Sequence, residues 1–283
     1  MKKLTLTAFS AVAILLASCG NNKPENATTE GATTEVKDSA TTAKEEFTMF
    51  EFDKMMANFP KPLDMVNEIA KAGVKFDKAA INDIANEKNY VTETKRALNF
   101  GVYSVDLGYL SAYDKKQDVI KSFKTVRKFA EGLNALESFD KVAGANFESK
   151  MSNKDTLVKI ADDVYYESYN HIKGNNRLLV ATQIVCGSWI ESQNFALQGL
   201  MNYERNAKTE FLYNKIFEQR THLENLLAVM NQFKDSEDMK QLATEFETLK
   251  TEYNAFRESK ELTKASIGKL AAAVKKVRES VVK

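Results

Sequence analysis

Apolar residues recur at alternating spacings of three and four along the C-terminal third of the chain. Met239, Leu242, Phe246, Leu249, Tyr253 and Phe256 form one stripe, and Ile267, Leu270, Val274, Val277 and Val281 form a second. Upstream, Leu212, Ile216, Leu223, Leu227 and Met230 give a related pattern. On a helix this spacing gathers the apolar side chains into a seam that packs against neighbouring helices in coiled-coil fashion. The pattern predicts three helices, joined near Asp235 and Lys260, in an antiparallel arrangement. The plainest role for the stripes is core; a helix face that docks a partner is the alternative.

Before this region the pattern changes character. Pro62, followed by Leu63, Val66, Ile69 and Ala70 and stopped near Gly73, reads as a short helix with proline in its first turn. A second short helix is expected over 78–86. From 92 to 113 the chain is apolar on most sides, which predicts a central buried helix. Gly101 and Gly108 lie two turns apart on one face of it, where a missing side chain lets another helix approach. Amphipathic helices follow at 116–133, 137–150 and 155–173, with Gly132 and Gly174 placed as stops. A second buried helix spans about 176–203 and is interrupted chemically by Gly187 and Trp189. Gly101, Tyr103, Asp106 and Tyr109 are echoed by Gly187, Trp189, Ser192 and Phe195: glycine, aromatic two on, polar five on, aromatic eight on. An internal duplication and coincidence both account for this echo.

The pattern therefore predicts an all-α, multi-helix bundle with a C-terminal antiparallel three-helix portion. The chain holds 3 prolines, of which Pro60 and Pro62 open the folded region and none follows, as a helical chain requires. We divide it into 1–18, 19–46, a helical bundle over 47–204 with two buried central helices, and a three-helix portion over 205–283 packed into the same domain or beside it.

The N-terminus has a different logic. Met1-Lys2-Lys3 is basic, Leu4 to Leu16 is an apolar stretch too short to span a bilayer comfortably, and Leu16-Ala17-Ser18-Cys19 follows. This run resembles the lipobox of bacterial lipoproteins. The resemblance implies cleavage before Cys19, a diacylglyceryl group on its sulfur and acylation of its new amine, and so a membrane anchor of several acyl chains. One chain binds reversibly; several hold a protein on the membrane. Gly20 stands where an aspartate in enteric lipoproteins signals inner-membrane retention, so the expected address is the outer membrane, facing the periplasm. Display on the cell surface stays open as the alternative. The stretch 20–46 is rich in Thr, Ala, Glu and Asn, lacks aromatic residues, and cannot bury enough surface to offset its conformational entropy. As a flexible spacer of roughly 27 residues it reaches about 30 Å.

Charge and cysteine count then narrow the function classes. Losing Lys2 and Lys3 with the leader takes the 40 basic residues to 38 against 39 acidic ones, a balance of −1, with no field that favours nucleic acid. Besides Cys19 only Cys186 remains, inside an apolar run, which excludes an intramolecular structural disulfide and reads as a buried inert thiol.

Few residues point to chemistry. The 2 histidines each follow a glutamate by four positions, as Glu167 with His171 and Glu218 with His222. Asp163 extends the first pair to a helical stripe of Asp163, Glu167 and His171, a candidate metal half-site, although helical ion pairing explains it more cheaply. Asp106 and Glu191 fall within the two most apolar helices, where an unpaired charge is expensive. They must find partners or line a polar cavity, with Tyr103, Tyr109, Trp189 and Asn194 as candidate walls of a ligand pocket.

Two further resemblances attach to this stretch. Gly101-x-Tyr103-x-x-Asp106 has the spacing of the Gly-x-His-x-x-Glu motif of imelysin-like proteins, which are helical, membrane-associated and linked to iron uptake. Here tyrosine replaces the histidine and aspartate the glutamate, over a turn and a half of helix. The run Asn99 to Leu107 is also similar to stretches of uncharacterised helical envelope lipoproteins, which imply no activity. The sequence thus predicts a non-catalytic binding or scaffolding module held at the membrane, with an envelope protein as partner and without a cofactor. The alternative is a carrier of a small ligand or metal ion.

Overall fold

The computed structural model describes residues 47–144, 147 and 152–283, and within them the chain is all-helical. The ten α-helices among the described residues are α1 (Met49–Met56), α2 (Pro62–Lys71), α3 (Glu93–Ala112), α4 (Lys116–Gly132), α5 (Leu136–Ala143), α6 (Lys154–Gly174), α7 (Leu178–Leu200), α8 (Glu210–Met230), α9 (Glu237–Tyr253) and α10 (Lys264–Val281). They pack as a multi-helix bundle in one compact unit. The leader, Cys19 and the spacer expected over 1–46 lie outside the described residues.

Helix boundaries follow from local chemistry. The side chains of Thr92, Asn153, Ser236 and Thr263 accept from the first-turn amides of α3, α6, α9 and α10, donors that otherwise have no partner. At the other end, the glycines at 132 and 174 are the last helical residues rather than the stops. The left-handed turns that close α3, α4 and α6 fall on Asp114, Asn134 and Asn176, with φ of 53°, 58° and 58°. Short Asx side chains tolerate this conformation, so they serve where glycine was expected.

Three expected elements change. The short helix over 78–86 is replaced by 3₁₀ turns at Lys78–Ala80 and Ile84–Asn89, each opened by an aspartate, Asp77 and Asp83, whose carboxylate accepts from the amide two residues on at 2.9 Å. That local hydrogen bond competes with a longer helix. The helix expected over 137–150 ends at Ala143, where Gly144 takes φ of 67°; most of the remainder lies outside the described residues. Finally, α7 continues without interruption through Gly187 and Trp189.

The C-terminal trio is antiparallel but does not stand apart. Arg220 donates to the Phe256 carbonyl at 2.9 Å and Asn254 to Glu224 at 3.3 Å, which sets α9 antiparallel to α8. Ser280 donates to Glu245, which does the same for α10 and α9. Yet α10 packs more extensively on α7 than on α9, so these three helices complete the larger bundle.

Its centre is the pair α3 and α7, the most extensive helix contact among the described residues. The two run parallel: Gln183 reaches Thr94 at 3.3 Å near their N-terminal ends, and Tyr109 stacks on Phe195 near their C-terminal ends, with ring centroids 3.9 Å apart and planes at 14°. Between these points the backbones meet. A Cβ on Gly101 would stand 2.2 Å from the carbonyl oxygen of Ile184, and one on Gly187 would stand 1.9 Å from that of Leu98. Ile184 is three residues before Gly187, and Leu98 is three before Gly101. The crossing is therefore reciprocal, with a local two-fold relation that also pairs Tyr109 with Phe195. Gly108 faces elsewhere and receives the Leu63 side chain of α2.

Gly187→Ala should accordingly separate the two central helices. Overpacking costs about 1–3 kcal/mol, against which alanine's better helix propensity returns up to about 1 kcal/mol. Because the obstacle is backbone, a net loss near the upper end is expected in urea denaturation. Gly268→Ala on α10, with open space around its Cβ position, should instead gain about 0.5–1 kcal/mol. Equal stability of the two variants would contradict the close approach.

Candidate functional site

Tight packing of α3 on α7 forces two acidic side chains into the interior. Asp106 follows Gly101 by five residues and Glu191 follows Gly187 by four, and both side chains are fully buried. Arg278 reaches in from α10, its side chain 14% exposed, and donates through Nη2 to Glu191 Oε1 at 2.8 Å and through Nε to Glu191 Oε2. A two-pronged bond of this kind satisfies both carboxylate oxygens. Burial works against the Arg278 charge, yet Glu191 first and then Asp106 lift its pKa above the ordinary value.

One arginine cannot neutralise two carboxylates. Asp106 Oδ2 accepts from the backbone amide of Asn82 at 3.3 Å, while Oδ1 receives no donor. Burial first, and the neighbouring Glu191 charge second, push the Asp106 carboxyl well above the usual carboxylate range, and Arg278 offsets this only in part. The shift favours the protonated form of Asp106, a carboxyl group beside the Glu191 carboxylate. Carboxyl, carboxylate and guanidinium line up from α3 through α7 to α10.

The segment between α2 and α3 is bound down over this group. Tyr103 donates to the Asp83 carbonyl at 2.7 Å, and the Ala80 carbonyl accepts from both Asn194 and Arg278 at 3.1 Å. Between that segment, α3 and α4 opens a pocket of about 670 Å³. Ile81, Ile84, Tyr103 and Leu110 give it apolar walls, and Asp106 and Ser122 supply its polar interior. The buried Ser122 hydroxyl has no hydrogen-bond partner. Lys78, paired with Asp118 at 3.4 Å, and Lys121 also line it.

Of the six residues expected to form one ligand pocket, only Tyr103 and Asp106 share it. Tyr109 accepts from the Asp77 amide at 2.9 Å and lines a separate cleft of about 300 Å³ with Phe195. Trp189 donates to Gln219 at 3.0 Å and faces a third cavity, beside α8. Glu191 and Asn194 are engaged by Arg278 and Ala80. The dispersal has a geometric cause: helical periodicity turns residues two, four and eight places beyond each glycine toward different neighbours.

The stripe on α6 is placed otherwise. Asp163 pairs with Lys159, Glu167 is exposed, and His171 is partly exposed. Among the described residues no three His, Cys, Asp or Glu side chains gather closely enough to hold a metal ion. Cys186 is fully buried, and burial raises its thiol pKa far from a reactive value.

Sequence reading missed Arg278, Asn82 and Ser122. Arg278 stands in a run of positive charge, with Lys275 and Lys276, in the last turns of the final helix, where the helix dipole is reason enough for it. One signal was available, since it lies four residues after Val274, on the edge of the buried stripe. Asn82 acts through its main chain, which no side-chain pattern reports.

The protonated state of Asp106 has a consequence for stability. Unfolded, an aspartic acid loses its proton near pH 3.9, whereas the folded group holds it to a much higher pH. The unfolded state therefore binds fewer protons between the two values, and folding stability falls as pH rises through that window. Asp106→Asn, which keeps the shape without the titration, should gain on the native protein as pH is raised from 4 to 7 in parallel urea titrations. A variant that instead loses ground toward neutral pH would show an ionised Asp106.

Comparison with family models, curated proteins and solved structures returns no match for this chain, so the pocket's own geometry carries the functional reading.

Proposed function

We propose that this protein is a lipid-anchored outer-membrane protein, facing the periplasm, whose helical unit binds a small molecule in the pocket between α3 and α4 without transforming it. The observation that carries the binding reading is the coincidence, in one cavity, of two buried polar atoms without a hydrogen-bond partner, Asp106 Oδ1 and the Ser122 hydroxyl. Unspent hydrogen-bonding capacity next to apolar walls suits a ligand with a polar head and an apolar body. Tyr103, Ile81 and Leu110 would contact the body, while Asp106 and Ser122 would hold the head.

Binding without catalysis is favoured by what surrounds these groups. Burial and the neighbouring Glu191 favour the protonated form of Asp106, against the pull of the Asn82 amide, and a protonated carboxyl is no base to activate a nucleophile. Docking of a large partner is the weaker reading, because the exposed large apolar side chains, among them Phe50, Val91 and Phe211, fall on separate elements. The anchor rests on the Leu16-Ala17-Ser18-Cys19 run alone. Among the described residues no helix is long and apolar enough to cross a membrane.

Two measurements separate these statements. Cys19→Ala should abolish acyl labelling and move the protein from the membrane pellet to the soluble fraction; a variant that resists a salt wash of the membranes removes lipid as the anchor. For the pocket, a library of small amphiphiles screened by thermal shift should yield compounds that stabilise the native protein. Ser122→Leu, which fills the cavity, should cancel their effect while leaving the basal melting temperature within a few degrees. Hits that act equally on both proteins bind elsewhere.

A further inference from the structure

The local two-fold relation between α3 and α7 directs attention to the other side of the crossing. Tyr103 and Asp106, two and five residues after Gly101, face the pocket beside α4. Trp189 and Ser192, two and five residues after Gly187, face a cavity of about 360 Å³ beside α8, closed by the start of α2 and the segment before it. A second cavity thus occupies the corresponding place on the partner helix.

Its charges can be accounted for one at a time. Lys215 pairs with Glu218 at 2.7 Å, Glu68 with Lys71 at 3.2 Å, and Lys61 with Asp162 at 3.7 Å. The remaining carboxylate, Asp64, is exposed and has no direct ion-pair partner, although the Lys61, Lys71 and Lys215 charges all favour its ionised form. The remaining imidazole, His222, buries its Nδ1 without a partner. Burial, more than any neighbouring charge, holds the His222 pKa below its ordinary value, leaving a neutral ring that can accept through one nitrogen. Burial likewise raises the Asp64 pKa, and Lys61, Lys71 and Lys215 offset this only in part. Phe59, edge-on to His222 with centroids 5.9 Å apart, and Trp189 contribute aromatic surface. One carboxylate without a direct partner, one free acceptor and two aromatic rings describe a receptor for a cation with an apolar body.

We propose that this cavity is a second binding site, specific for small organic ammonium ions, in which the ammonium pairs with Asp64 and donates to His222 Nδ1 while its carbon skeleton lies against Phe59 and Trp189. The site is separate from the α3–α4 pocket, and its occupancy does not depend on that pocket holding a ligand.

Trp189 is the sole tryptophan of the chain, so its fluorescence reports on this cavity directly. The intact chain in detergent would be titrated with phenethylamine, with 2-phenylethanol as neutral analogue and 3-phenylpropionate as anionic analogue. The expected result is a saturable change in Trp189 emission with phenethylamine, weakened about tenfold or more for the alcohol and absent for the carboxylate. Asp64 is exposed enough for Asp64→Asn to fold, and that variant should bind phenethylamine at least about tenfold more weakly while treating the alcohol as the native protein does. His222→Leu should weaken the amine as well. Equal responses to amine and carboxylate, unchanged amine binding in Asp64→Asn, or no saturable response to the amine would each overturn the proposal.

Discussion

Two glycines, Gly101 and Gly187, allow the backbones of α3 and α7 to touch, and the rest of the structure is arranged around that contact. A side chain on either would collide with a main-chain carbonyl of the other helix, an obstacle that rotamer changes cannot move. The contact fixes the register of the pair, and the register places Tyr109 on Phe195 and Asp106 next to Glu191. It also dictates the connectivity. Parallel neighbours cannot be joined by a tight turn, so α4, α5 and α6 intervene to return the chain to the end where α7 must begin. The cavities on either side, and the helices that cover them, inherit their places from this crossing.

The same packing creates the principal electrostatic problem of the interior. With little space between the central helices, Asp106 and Glu191 are both fully buried, and a single arginine from α10, bonded to Glu191, is their direct counter-charge. Ion pairs buried in this way seldom add stability relative to apolar residues of similar size, although removing one partner is expensive. A raised Asp106 pKa relieves the excess negative charge at the cost of a pH-dependent stability. A core selected for stability alone would have no such group, and this cluster adjoins a pocket that holds two of the unpartnered buried polar atoms among the described residues.

What the sequence revealed and what it withheld divide along a physical line. Helices whose pattern rests on local chemistry were legible: the proline opening α2 and the stripes of α8, α9 and α10 all follow from neighbouring residues. The glycine and aromatic echo between α3 and α7 was legible as a pattern, but its meaning, a reciprocal crossing, required knowing that the two helices touch. Local rules failed where side chain and backbone compete, as at Asp77 and Asp83, whose carboxylates favour 3₁₀ turns over a helix. The site was half visible. Asp106 and Glu191 announced themselves as charges in apolar surroundings, whereas Arg278 and Ser122 belong to helices whose amphipathic pattern gave them ordinary explanations. A pocket is a relation between distant segments, and periodicity within one helix carries no record of it.

The two sides of the crossing show how one backbone scaffold comes to hold two different chemistries. Five residues after each glycine, a side chain reaches the main chain of a covering segment: Ser192 donates to the Pro62 carbonyl at 2.8 Å, and Asp106 accepts from the Asn82 amide at 3.3 Å. The mechanical task is the same, fastening a segment over a central helix, but its direction is reversed. A hydroxyl does it without introducing charge. A carboxyl group does it with one oxygen and leaves a second, Oδ1, without a partner. The acid at that position also comes to lie beside Glu191, one turn along α7, and the counter-charge that Glu191 demands is Arg278, which α10 supplies through a two-pronged bond.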